Sequence, residues 1–215
     1  MFGRWATPAD QYIAEVRRCA TEIGNLQRAA PCDWMCEPWI VAKTGLSVAE
    51  HQRRTTENYR ELRGKAPDLP WVAVLQGWSL TDYLQHDALY RNAGVDLAAL
   101  PLVGVGSVCR RQGTTGVAVI LRILAERGLR LHAFGLKKAG LIRSAGYVAS
   151  ADSLAWSYAA RRRPGLPECA GTHARCNDCL RYALRWRRRL LAAIDHPDGG
   201  DVRVQPRLLP GTMVA

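Results

Sequence analysis

Five strand-like runs constrain this 215-residue chain more than anything else in it: "NLQRAAP" (25–31), "WVAVLQG" (71–77), "LPLVGVGS" (100–107), "LRLHAFG" (129–135) and "YVASAD" (147–152). Helix-like segments separate them, and alternation of that kind predicts a parallel α/β sheet. Each run passes into a polar or glycine-containing segment: "PCDW", "QGW", "GVGS", "FGLKK" and "SADS". Chemistry gathered at strand C-termini suits an α/β barrel or a doubly wound sheet. No G-x-G-x-x-G opens a helix, and "GVGSVC" lacks the third glycine, so a dinucleotide fold is the weaker choice. A closed (β/α)8 barrel needs eight strands and usually about 250 residues. The five runs therefore predict either an open five-stranded domain or the C-terminal five βα units of a barrel whose first three strands are absent.

The helix signals are local. "TPADQYIAEVRRCATEIG" (7–24) starts with Thr7 as N-cap and Pro8 at N1, and Gly24 ends it. Ser47 and Glu50 form a capping-box pattern at the head of 47–65. Further helices are expected over 79–94, stopped by Gly94, over 116–128, over "LIRSAG" and over 177–194. Residues 1–195 read as one domain with a proper core, 48% of the chain being apolar, and 196–215 as a flexible tail. No run approaches the ~20 apolar residues of a membrane span, and the N-terminus has no signal-peptide core. A cytoplasmic protein with no membrane partner is the expectation.

"PECAGTHARCNDCL" (167–180) places Cys169, His173, Cys176 and Cys179 within eleven positions. The chain has seven cysteines, an odd number that excludes a complete disulfide framework within it. Thiolate and imidazole ligands at this spacing suit tetrahedral Zn2+, and four protein ligands leave no position open for substrate. The expected site is structural. It belongs to a zinc subdomain, about 164–180, inserted before the last helix, with Cys179 on that helix's first turn.

The formal charge is +11, and only four of the 30 basic residues are lysine. Arginine's planar fork matches phosphate, so the balance suggests a nucleic-acid partner; an arginine-rich composition inherited from a GC-rich genome is the bland alternative. "RRQ" (110–112), "RRR" (161–163) and "RWRRR" (185–189) could line a nucleic-acid groove, and part of the last is the wet face of a helix. Lys137 and Lys138 fit phosphate contact and a solvated loop equally. Trp34, Trp39, Trp78 and Trp156 fall beside the strand ends, where each reads first as core and second as a stacking surface for an extruded base. Taken alone, Asp152 and Asp33 read as turn or cap residues, Gln76 as an ordinary strand-end amide, and His132 as a satisfied core histidine.

Several stretches together change that weighting: "CDWMCEPWI", "VLQGW", "YRNAGVDL", "PLVGVGSVCRRQ", "LRLHAFGLK", "SADSLAWSYAARR" and "CNDCLRYALRWRRRLL". In this order they resemble the tRNA-guanine transglycosylase (queuine tRNA-ribosyltransferase-like) superfamily, and most closely its DNA-acting 7-deazaguanine branch. The resemblance implies a (β/α)8 TIM-barrel fold with a zinc insertion, the five runs matching family strands four to eight. It implies a pentosyltransferase that exchanges guanine for a 7-deazaguanine such as preQ0 in DNA, through a covalent glycosyl-enzyme. Asp152 matches the nucleophile. Asp33 matches the acid that reads the guanine N–H edge, Gln76 the amide that bonds the base, and Gly104 and Gly106 the backbone that approaches its carbonyl. The family's second catalytic aspartate lies in an "S-G-G-F" motif that this sequence lacks, so an N-terminal part is expected to be missing. A partner chain or oligomer would then cover the open barrel. A tRNA-acting enzyme and a nucleic-acid-binding remnant without turnover are the alternatives.

Overall fold

The computed structural model describes residues 7–109, 111 and 115–195. Arg110, Gln112 and the tail from His196, all singled out above, lie outside them.

The described residues form eight α-helices, two short 3-10 helices and four strands, with helix and strand alternating from β1 to β4. Helix α1 (Ala9–Ile23) leads to α2 (Pro38–Thr44) and α3 (Val48–Lys65), and then come β1 (Ala73–Leu75), α4 (Leu80–Asn92), β2 (Val103–Val105) and α5 (Thr115–Glu126). They are followed by β3 (Leu131–Ala133), α6 (Lys138–Ser144), β4 (Ser150–Ala151), α7 (Ala155–Ala160) and α8 (Leu180–Asp195). All strand pairs are parallel, and the order is β1-β2-β3-β4 with no reversal.

Local chemistry explains most boundaries. Ser47 caps α3 by accepting from Glu50 N, and Ser79 and Asp82 form a reciprocal capping box on α4. Gly24 ends α1 with φ 73°, a conformation that glycine adopts without steric cost. Three expectations need correction. Thr7 does not cap α1: Pro8 is extended at the cap position and its carbonyl accepts from Tyr12 N, so the helix starts at Ala9. The run 25–31 is not a strand but a single parallel bridge, Ala29 to Trp71. The Tyr12 hydroxyl takes the Ala30 carbonyl, and Pro31 has no N–H to continue a ladder. Cys179 precedes α8 rather than lying on its first turn, with its carbonyl accepting from Ala183 N.

The two faces of the sheet differ in kind. Ala73, Leu75, Val103, Val105, Leu131, Ala133 and Ala151 enter one apolar core with Tyr59 and Leu62 of α3, Tyr83 and Tyr90 of α4, Leu121 and Leu124 of α5 and Leu190 of α8. Each buried leucine contributes about 1.5–3 kcal/mol relative to exposure. The alternate positions, Val74, Gly104, His132 and Ser150, point the other way. Leu75, Val105, Ala133 and Ala151 share one register row, so Gln76, Gly106, Phe134 and Asp152 form the next row, on the opposite face. The helices cover the apolar side, and the chemistry-bearing residues lie on the other.

No helix among the described residues is long and apolar enough to cross a membrane.

Candidate active site

Gln76 is the best-anchored residue of this row. Its backbone N–H donates to His86 Nδ1 at 2.8 Å, and its carbonyl accepts from Gln52 Nε2 at 2.8 Å. Burial holds His86 down to about 4, so the ring is neutral and able to accept. Helices α3 and α4 thus fix the end of β1 with polar groups on their buried faces. The Gln76 side chain lies over Gly106, where a Cβ would fall 2.1 Å from Nε2. A Cβ at Gly104 would fall 2.5 Å from the Phe134 ring. Both glycines therefore have a packing reason within the chain. The Gly106 amide donates to Leu75 O and its carbonyl accepts from the Tyr83 hydroxyl, so both its polar groups are engaged.

Asp33 meets Gln76 from the loop before α2: Gln76 Nε2 donates to Asp33 Oδ2. Helix α3 clasps that loop. Asn58 Nδ2 donates to Cys32 O at 2.6 Å, Trp34 N donates to Thr55 Oγ1 at 2.9 Å, and His51 Nδ1 bonds Met35 O at 2.7 Å. Burial pushes the Asp33 carboxyl above its ordinary value, while the Gln76 amide opposes the shift and Glu37 adds to it.

Asp152 lies one residue past β4. Its Oδ1 accepts from Gly135 N at 2.8 Å and lies 3.4 Å from His132 Nε2. Burial raises the carboxyl, but the His132 ring and the Gly135 N–H outweigh it and hold Asp152 below the usual carboxylate range. His132 also bonds Ser150 Oγ through Nδ1 at 2.8 Å and packs edge-on against Phe134. It is a packed histidine and a neighbour of Asp152 at once, which sequence alone left as core. Gln76 and Asp152 are three strands apart in one row, about 14 Å along the sheet at the spacing of paired strands. Asp33 joins at the Gln76 end. The row carries a carboxyl group bonded to an amide at one end and an ionised carboxylate at the other.

Sequence reasoning missed Glu37, Gln52, His86 and Ser107. Ser107 Oγ lies 2.6 Å from Gln76 Oε1 and 3.1 Å from Glu37 Oε2. The available signal was the buried face of α3, which carries His51, Gln52, Thr55 and Thr56 where an ordinary core face would be aliphatic.

Of the tryptophans, Trp39 meets Trp78 edge-to-face at 5.7 Å, and the Arg111 guanidinium lies 4.2 Å from the Trp78 ring. Arg185 pairs with Glu168 and Arg181 donates to Glu168 O, so these α8 arginines hold the segment around Cys169.

The ligand atoms of Cys169, His173, Cys176 and Cys179 all lie within 4.8 Å of one another. Cys169 Sγ and Cys179 Sγ are 3.9 Å apart, and His173 Nε2 and Cys176 Sγ are 3.2 Å apart. A tetrahedral ion with Zn–S near 2.3 Å puts its sulfurs about 3.8 Å apart, so the spacing fits. Leu166 N donates to Cys176 Sγ at 3.3 Å, the outer-shell bond expected beside a metal-bound thiolate. Apart from the cysteines, Ala160, Leu166 and Tyr182 are the apolar groups of this cluster. The four residues could bind a metal ion.

No curated protein matches the chain. A family model described as "DeoxyPurine in DNA protein A" (DpdA) matches residues 1–209. Over that length the chain belongs to the DpdA family, the DNA-guanine transglycosylase branch of the tRNA-guanine transglycosylase-like superfamily.

Proposed function

We propose that this chain exchanges a guanine in DNA for a 7-deazaguanine base through a covalent intermediate on Asp152. The observation that carries the reading is the shared row: Gln76, bonded to Asp33, and Asp152 lie on the same polar face at the C-terminal ends of parallel strands. Strands in sequential order, with helices packed on one face, support reading the sheet as an arc of a TIM-type barrel, whose active sites lie at that end.

The target guanosine leaves the stack, because its C1′ is unreachable inside a duplex. An Asp152 oxygen bonds to C1′ as the C1′–N9 bond breaks, and guanine departs with that electron pair and takes up a proton. Gly135 N–H and His132 keep the attacking carboxylate ionised and aimed. Asp33 and Gln76 hold first the leaving base and then the incoming 7-deazaguanine by the same edge. The incoming ring nitrogen gives up its proton and bonds to C1′, and Asp152 is released. A carboxylate suits the task because the transition state is oxocarbenium-like and two displacements replace one. Cys169, His173, Cys176 and Cys179 would hold a structural Zn2+ that ties the segment after α7 to α8.

The test is a base-exchange assay with labelled preQ0 on duplex DNA, with tRNA run in parallel, followed by denaturing electrophoresis. The expected result is label in DNA and a protein–DNA adduct that Asp152→Asn abolishes. Label entering tRNA alone would move the substrate to RNA. Salt-dependent DNA binding with neither adduct nor label would make the chain a binding protein.

A further inference from the structure

The Gln76 amide is held in one orientation by a residue to which neither the resemblance nor the proposed cycle gives a role. Ser107 is the one non-glycine residue with positive φ, 55°, among the described residues. Such a conformation costs about 1 kcal/mol or more in a serine, and glycine or asparagine would relieve it. What serine adds is a hydroxyl. The Cys36 N–H donates to Ser107 Oγ at 2.8 Å. The hydroxyl's single proton has two acceptors in reach, Gln76 Oε1 at 2.6 Å and Glu37 Oε2 at 3.1 Å. Gln76, Glu37 and Ser107 are 1%, 3% and 6% exposed, so water does not stand in for any of them.

In the shorter bond the Gln76 carbonyl faces Ser107 and its NH2 faces Asp33. Rotating the amide would set its oxygen against the Asp33 carboxylate, two acceptors in contact, and Asp33 would then need a proton. With the Ser107 proton on Gln76, the chain Cys36 N–H to Ser107, Ser107 O–H to Gln76, Gln76 N–H to Asp33 matches each donor to an acceptor. It ends on a carboxylate that accepts.

We propose that Ser107 is a positioning residue that, through the Gln76 amide, keeps Asp33 an acceptor and so restricts the pocket to purines with an N1–H beside a 6-oxo group. The inference rests on reading Asp33 and Gln76 as base-binding groups. Guanine offers N1–H and the 2-amino group to an ionised carboxylate. 2,6-Diaminopurine keeps the 2-amino group but presents a bare N1, whose lone pair faces the carboxylate. A site built from donors and acceptors rejects the wrong edge far more strongly than shape alone can.

The experiment measures binding of radiolabelled guanine to the full chain, with 2,6-diaminopurine as competitor. The wild-type chain is expected to prefer guanine at least tenfold. Ser107→Gly suits the local backbone and deletes the hydroxyl, and it should shrink that preference by about tenfold. Glu37→Gln removes the competing carboxylate at constant shape and should leave the preference intact. A Ser107→Gly variant that loses both ligands equally, or a Glu37→Gln variant that loses selectivity as completely, overturns the role given to Ser107. A wild-type chain that binds neither base overturns the base-pocket reading itself, and the inference with it.

Discussion

Asp152 faces two opposing influences, and their balance fixes how it responds to acid. Partial burial favours the neutral acid, whereas the His132 ring and the Gly135 N–H favour the anion and prevail. Its folded-state value therefore lies below the unfolded one, about 3.9. Between the two values the unfolded chain binds more protons, so stability rises with pH there. The contribution is complete above about pH 5 and disappears as pH falls through the folded value. Asp152→Asn should thus be less stable than wild type above about pH 5, and the two urea midpoints should converge below about pH 4. Midpoints that diverge in acid would show that the carboxylate is not held by these partners. At this scale the sequence was partly legible. Asp33, Gln76 and Asp152 stand in recognisable motifs. Ser107 and Glu37 do not, because their meaning arises only when Ser107 meets Cys36, 71 positions away, and the same side chain reaches Gln76.

The segment between α7 and α8 has the smaller of the two buried apolar clusters to hold it. Its buried cluster is small, and a few apolar groups do not offset the ordering of the 19 residues 161–179 at about 1–2 kcal/mol each. A metal held by these four residues would add its affinity to local folding energy, since their geometry would not persist in an unfolded loop. The chain should carry about one equivalent of zinc. Chelation, or Cys176→Ser, should expose 161–179 to proteolysis while leaving β1 to β3 and their helices folded. Retention of the same protease resistance without metal would mean that the Glu168 contacts with Arg181 and Arg185 suffice. The elements themselves were legible where pattern and punctuation agreed: Ser47 and Glu50 mark α3, and Gly24 closes α1. The run 25–31 stopped at one bridge because Pro31 has no N–H for the next bond to β1, a signal its own sequence carries, and because the Val74 N–H that would have reached Pro31 goes to the Tyr90 hydroxyl, a tertiary event with no local signature.

The whole molecule carries a charge of +11, and the fold shows where part of its arginine is spent. Arg17, Arg18, Arg53, Arg91, Arg122 and Arg127 pair with carboxylates on the helical surface. The exposed pairs add little stability, Arg91 and Arg127 share the buried Asp87, and all six guanidinium groups are thereby taken away from phosphate. Arg161, Arg163, Arg188 and Arg189 are exposed and form no ion pair among the described residues. Arg161 and Arg163 follow α7, Arg188 and Arg189 lie on α8, which packs against α7, and α7 begins three residues after Asp152. A surface of this kind binds a polyanion by releasing counterions, so affinity for duplex DNA should fall steeply with salt. If Arg188 and Arg189 each meet a phosphate, replacing both with glutamine should reduce the slope of log K against log salt by about 1.8. Binding of free guanine should be unchanged, because neither residue belongs to the Asp33–Gln76 end. A slope equal to that of the wild-type chain would assign these arginines to composition rather than to DNA. The guanine measurement on the same variant separates a lost groove contact from a damaged fold, since only damage to the fold would weaken both.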